Sequence, residues 1–89
     1  MRRLSSHTEA AGSLSLASLP PGTQARVIAV NGSSAIARRL MEMGVVPGAP
    51  VRVIKAAPLG DPIEIRVRSY HLALRLTEAQ TILVTISDR

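Results

Sequence analysis

The strongest constraint on the fold is an alternation of apolar and polar residues between positions 63 and 76. The apolar side chains occupy every second position, first at odd and then at even numbers: Ile63, Ile65, Val67, Leu72, Leu74 and Leu76. Because successive side chains of a strand point to opposite faces, each half of this segment predicts a half-buried strand. The change of parity near Ser69 and Tyr70 predicts a tight hairpin that turns both apolar faces toward one core.

Three further segments have the composition of short strands, and turn residues bound them. They are Thr23 to Val30, Pro50 to Ala56, and a final run that holds Ile82, Val84 and Ile86. All three are rich in β-branched residues, which favour strands. Before the first of them, Pro20-Pro21-Gly22 excludes a helix and marks a turn. The segment from Thr77 to Gln80 predicts a single helical turn ahead of the last strand.

One short helix is predicted from Ser34 to Met43. Ser33 or Ser34 can cap its N-terminus, and its apolar stripe consists of Ile36, Leu40 and Met43. Leu40 lies in the middle of this stripe, so we expect it to be buried. Gly44 follows where a left-handed glycine commonly ends a helix.

These elements predict a mainly β fold, namely a small SH3-like or OB-like β-barrel with one inserted α-helix and a late helical turn. With 89 residues and no cysteine, the chain has room for one domain without disulfides. Residues 1–13 are small, polar or charged apart from Leu4, so we expect a flexible N-terminal tail. Residues 14–89 are expected to form the barrel domain, with a core built almost entirely from aliphatic side chains.

No motif predicts catalysis, a cofactor or a metal site. The two histidines, His7 and His71, are far apart, and the chain lacks cysteine. A metal site would require groups such as Asp61, Glu64 or His71 to converge by folding. We therefore expect no enzymatic activity, no catalytic residue, no cofactor and no metal ligand.

The chain is basic, with a net charge of +5 and arginine at ten of its 11 basic positions. This excess suits a phosphate, an acidic protein surface or an anionic membrane, although a solvated basic surface has the same composition. Single-strand nucleic-acid readers stack bases on aromatic rings, and one tyrosine is the whole aromatic content. No apolar stretch reaches the roughly 18 residues of a membrane span, and Met1-Arg2-Arg3 precedes no apolar export segment. We expect a cytoplasmic protein.

Several segments resemble a known family in order and spacing. Leu19-Pro20-Pro21-Gly22 is similar to the opening of the FeoA family, small cytoplasmic proteins of bacterial ferrous iron transport. The helix exit from Arg39 to Gly48 resembles the most distinctive segment of that family. The similarity continues through Ala57 to Ile63, Leu72 to Arg75, and Glu78-Ala79 with Ile82 and Val84.

The resemblance implies an SH3-like barrel with a helix after the first long strand, and no enzymatic activity. It also implies a partner, FeoB, a membrane Fe²⁺ transporter with a cytosolic GTP-binding domain. Membrane association would then arise only through that partner's cytosolic region. Similar domains occur behind metal-dependent repressors, but this chain has no helix-turn-helix pattern and resembles the stand-alone kind. Ser69 stands where many relatives have glycine, which leaves the type of the hairpin turn open.

The helix exit is the candidate contact surface for that partner, and it comprises Leu40, Met41, Met43, Gly44, Val45 and Val46. Such apolar groups either pack on the barrel or meet a partner, and methionine adapts easily to a partner's shape. Arginines on the strands would steer the domain toward an acidic cytosolic surface. Two alternatives remain, a small basic barrel that binds nucleic acid and a barrel that binds another cytosolic protein. The first predicts salt-dependent binding to mixed DNA and RNA.

Overall fold

A computed structural model describes residues 13–86. The elements follow in the order β1 (Leu14–Ser15), a 3-10 helix (Leu16–Ser18), β2 (Gln24–Val30), α1 (Ser34–Glu42), β3 (Pro50–Ala56), β4 (Ile63–Val67), β5 (Tyr70–Leu74), α2 (Leu76–Ala79) and β6 (Ile82–Ile86). The predicted flexible tail lies outside the described residues apart from Ser13, so it stays a prediction. No helix within residues 13–86 has the length and apolar character needed to cross a membrane.

The strands form one antiparallel sheet in the order β1-β6-β2-β3-β4-β5. The mainly β architecture and all five predicted strands are confirmed. The sixth strand, β1, has only two residues, which pair with Val84 and Leu83 of β6. Two residues are too few to show an alternating pattern of apolar and polar side chains, so β1 is recognised only from its pairing with β6 in the structure.

A single aliphatic cluster fills the interior. The predicted apolar face of β4 is entirely inside, since Ile63, Ile65 and Val67 are all buried. Leu74 of β5 is also buried, whereas Leu72 is only partly covered. Leu40 of α1 is completely buried, as its place in the helical stripe predicts. The helix therefore contributes Leu40 to the core, and its stripe residues Ile36 and Met43 pack against that core.

The predicted strand ending at Leu76 is two residues too long, because α2 already begins there. The backbone N–H of Leu76 donates to the Asp61 carboxylate at 3.0 Å, and the N–H of Arg75 donates to Oε1 of Glu78 at 3.0 Å. Two carboxylates thus satisfy backbone donors that a continued strand would have used for sheet pairing. These side-chain bonds start the helix one residue before the predicted turn.

The predicted hairpin joins β4 and β5 through a two-residue turn. Val67 pairs with Tyr70, which leaves Arg68 and Ser69 as the turn itself. The φ angle of Arg68 is +56°, in the left-handed region. Ser69, whose presence in place of the family's glycine left the turn type open, has no positive φ, and the left-handed conformation falls on Arg68 instead.

Candidate partner-binding site

The exit of α1 is fixed by a hydrogen-bonded cap. Gly44 has a φ of +97°, its N–H donates to the carbonyl of Met41 at 3.0 Å, and the N–H of Val45 donates to that of Leu40 at 3.0 Å. This nested pair of bonds is a Schellman motif, which satisfies carbonyls that would otherwise be unpaired at the helix end. The predicted left-handed Gly44 is confirmed.

Tyr70, the single aromatic residue, closes over this cap from the β4–β5 hairpin. Its hydroxyl donates a hydrogen bond to the backbone carbonyl of Met43. A Cβ atom added to Gly44 would lie 2.6 Å from that hydroxyl oxygen. Position 44 therefore favours glycine for two reasons, the positive φ and a Tyr70 hydroxyl that a Cβ atom would displace.

The structure divides the six candidate contact residues into two groups. Leu40 and Val45 are completely buried and face the core, so they cannot touch a partner of the folded domain. Their inclusion in the contact surface is corrected: as the paired apolar residues that accompany a Schellman motif, they hold the helix exit onto the barrel. Met43, Gly44 and Val46 are half-buried, and Met41 is 45% exposed.

The accessible part of the helix exit forms a shallow apolar depression along the outer side of α1. We name it the helix-exit surface, and it is lined by Ser34, Ala37, Arg38, Met41, Glu42 and Val46. Met41 and Val46 supply its largest apolar groups, and Arg38 and Glu42 place a charge of each sign among them. Since α1 ends in a fixed cap, this depression has a defined shape.

Glu78 is the one buried charged residue within residues 13–86, and both of its carboxylate oxygens have partners. Oε1 accepts the N–H of Arg75, and Oε2 forms an ion pair with the guanidinium of Arg39. The pair joins α1 to α2 and leaves no carboxylate oxygen directed at an open site. Sequence reasoning missed this link, because residues 39 positions apart carry no spacing signal.

The other candidate chemical groups do not converge. No cluster of three or more histidine, cysteine, aspartate or glutamate residues that could hold a metal occurs within residues 13–86. Asp61 caps α2, Glu64 forms an exposed ion pair with Lys55 at 3.8 Å, and His71 is exposed on β5. His7 lies outside the described residues.

Residues 14–86 match the model of the FeoA domain, which spans everything from β1 to the end of β6. The chain belongs to the FeoA family. The resemblance read from the Leu-Pro-Pro-Gly opening and the helix exit is thereby confirmed.

Three similar proteins extend this result. An Fe(2+) transport protein A/Fe(2+) transporter FeoB fusion protein of Porphyromonas gingivalis is 37% identical over 71 residues, which are 80% of this chain and 8% of the fusion protein. The solution structure of an FeoA-like protein from Clostridium acetobutylicum is 35% identical with a TM-score of 0.80, over 88% of this chain and 91% of that one.

The third is the crystal structure of FeoA from Stenotrophomonas maltophilia, 40% identical with a TM-score of 0.70, covering 78% of this chain and 86% of that one. That protein is described, in complex with zinc, as an SH3 domain protein and a proposed activating factor of bacterial ferrous iron transport. The SH3-like fold predicted for this FeoA domain is thus confirmed.

Proposed function

We propose that this chain is a non-enzymatic accessory or regulatory protein of bacterial ferrous iron transport. It acts in the cytoplasm by contact with the cytosolic region of a FeoB-type transporter, and it reaches the membrane only through that partner. The observation that carries the proposal is the P. gingivalis relative, in which transport protein A and FeoB share one polypeptide. A covalent link raises the effective concentration of one module at the other, which benefits proteins that act in contact.

Action by contact agrees with the chemistry of the described residues. The carboxylates of Asp61, Glu64 and Glu78 are each engaged by a backbone N–H or a basic side chain of the domain itself. General acid–base or nucleophilic catalysis needs such groups to meet in an open cleft beside a positioned base. The domain instead offers a fixed apolar surface.

We assign the transporter contact to the helix-exit surface. Met41 and Val46 give it an apolar centre, and Arg38 and Glu42 border that centre with charge. An apolar centre with a polar border is the usual anatomy of a protein–protein interface. Burial of Met41, now 45% exposed, would remove from water one of the largest apolar side chains that the domain leaves uncovered.

The test replaces Met41 by Asp and Val46 by Ser, and measures association with the transporter's cytosolic region together with Fe²⁺ uptake in cells. Leu59→Asp is the matched control, since Leu59 is 94% exposed, lies on the β3–β4 connector and does not line the helix-exit surface. Met41→Asp should melt like the wild type yet weaken association by about tenfold or more, whereas Leu59→Asp leaves association unchanged.

Two results would contradict the assignment. If folded Met41→Asp and Val46→Ser variants bind and support uptake like the wild type, the contact lies elsewhere on the domain. If the wild-type domain does not associate with the transporter in membranes or as a purified cytosolic region, the accessory role itself is wrong. Binding to mixed DNA or RNA that weakens steeply with salt would then favour the nucleic-acid alternative.

A further inference from the structure

Four arginines gather on the outer face of the sheet, on the far side of the β-strands from the core. They are Arg26 of β2, Arg52 of β3, Arg66 of β4 and Arg68 of the following turn, and we call them the arginine face. Together with Gln24, Ala25, Pro50 and Val51 they line an open groove of about 200 Å³. All four side chains are exposed.

Two of these arginines stand directly opposite each other. Arg52 and Arg66 are partners in the antiparallel register of β3 and β4, so their side chains leave the same face at neighbouring positions. Like charges in a direct cross-strand pair are destabilising. No carboxylate in residues 13–86 forms an ion pair with either of them to reduce the repulsion.

The third, Arg68, occupies a strained backbone position. Its φ of +56° would suit glycine, and an arginine there carries a conformational cost that glycine would not. The turn nevertheless places Arg68 among the residues that line the groove. A two-residue hairpin needs a positive φ in its turn, and here an arginine rather than a glycine occupies that position.

Both features lower the stability of the free domain, and a bound anion would relieve the like-charge repulsion between Arg52 and Arg66. We propose that the arginine face binds an acidic, carboxylate-rich segment of another protein. Arginine fits this role better than lysine, because its planar guanidinium holds a carboxylate through two parallel hydrogen bonds and is weakly hydrated. The proposal does not depend on the transporter being that protein.

The other occupants fit less well. No aromatic ring lines the groove, so bases have no aromatic stacking platform there. A second copy of the described domain offers little acidic surface beyond Glu42 of α1, since Glu64 and Glu78 are ion-paired and Asp61 caps α2. Residues 1–12 are themselves net basic, with Arg2 and Arg3 against Glu9. A separate acidic chain is the complementary partner.

The experiment titrates the purified full chain into a fluorescein-labelled decapeptide of alternating Glu and Ser, at about 50 mM salt, and follows anisotropy. We expect binding that weakens as salt rises to about 300 mM, and no binding to the corresponding Gln-Ser peptide. Arg52→Gln/Arg66→Gln should weaken binding by about tenfold or more. The control Lys55→Gln/Arg75→Gln removes the same charge from exposed positions outside both surfaces and should change peptide binding by less than about threefold.

A melting measurement separates binding from folding. Because Arg52→Gln removes a like-charge contact and Arg68→Gly removes backbone strain, each should raise the melting temperature of the free domain by about 1–4 °C while weakening peptide binding. A merely structural role for these arginines predicts the opposite sign in the melt. A variant that melts above the wild type and binds the peptide more weakly has not lost binding through unfolding.

Several outcomes would overturn the proposal. If the wild type and Arg52→Gln/Arg66→Gln bind the peptide equally well, the peptide does not bind at the arginine face. The face would be assigned to a different ligand if that ligand binds more tightly than the peptide and shows the same dependence on the arginines. The ligands to compare are a mixed-sequence 12-nucleotide DNA or RNA, vesicles with about 30% anionic lipid, and inorganic phosphate. No binding of the acidic peptide at low salt would show that the face is a solvated surface.

Discussion

Replacing Gly44 by alanine should destabilise the domain through two separable effects. The first is backbone strain, since a left-handed φ, here +97°, costs an L-residue about 1–2 kcal/mol. The second is steric, because the new Cβ would lie 2.6 Å from the Tyr70 hydroxyl, closer than real contacts allow. If the tyrosine moves away, its hydrogen bond to Met43 is lost, at a further cost of about 0.5–1.5 kcal/mol. The expected total is about 1.5–3.5 kcal/mol.

Gly48 provides a matched control for the strain alone. Its φ is +91°, nearly that of Gly44, but a Cβ added there would meet nothing within 4 Å. Gly48→Ala should therefore cost only about 1–2 kcal/mol. The difference between the two alanine variants isolates the contact with Tyr70.

A double-mutant cycle with Tyr70→Phe tests this separation. Without the hydroxyl, Gly44→Ala should cost no more than Gly48→Ala, which gives a coupling energy of about 0.5–1.5 kcal/mol. Urea denaturation followed by circular dichroism measures the free energy of unfolding of the four proteins of the cycle and the control. The reasoning fails if both glycine variants lose the same stability in the wild-type background, or if Tyr70→Phe leaves the cost of Gly44→Ala unchanged.

Three further predictions concern the core and the helix ends. Leu40→Ala removes a completely buried side chain and should cost about 2–5 kcal/mol, a fall in melting temperature of at least about 8 °C, whereas Met41→Ala should stay within about 3 °C of the wild type. Glu78→Ala strands the Arg75 N–H and should cost about 1–3 kcal/mol; Glu78→Gln keeps an acceptor and should melt between that variant and the wild type. Asp61→Ala removes the cap of α2 and should cost about 0.5–2 kcal/mol in urea titrations. A melt of Leu40→Ala close to that of the wild type would refute the placement of α1.

Most of the secondary structure follows from local patterns in the sequence. The odd positions 63, 65 and 67 predict the buried face of β4, and the structure confirms it. The serine cap, the apolar stripe and Gly44 predict both ends of α1 to within one residue. These predictions succeed because strand alternation, capping and left-handed helix ends depend on neighbours only a few positions apart.

The character of the candidate surfaces was decided by contacts distant in the chain. Sequence alone places Leu40, Met41, Val45 and Val46 in one apolar run, and only packing on the barrel buries Leu40 and Val45 and leaves Met41 accessible. The family similarity identifies the helix exit as distinctive, but it does not show which of its side chains reach the surface.

The sequence by itself determined the five longer strands, apart from the end of β5, together with α1, its glycine end and the basic excess of the chain. Only the tertiary structure paired Arg52 with Arg66, brought Tyr70 over the helix end, and joined Arg39 to Glu78. The physical reason is the same in each case. Strand register and the packing of α1 against the sheet fix which distant residues meet, and these depend on the free energy of the whole core rather than on the preferences of any one segment.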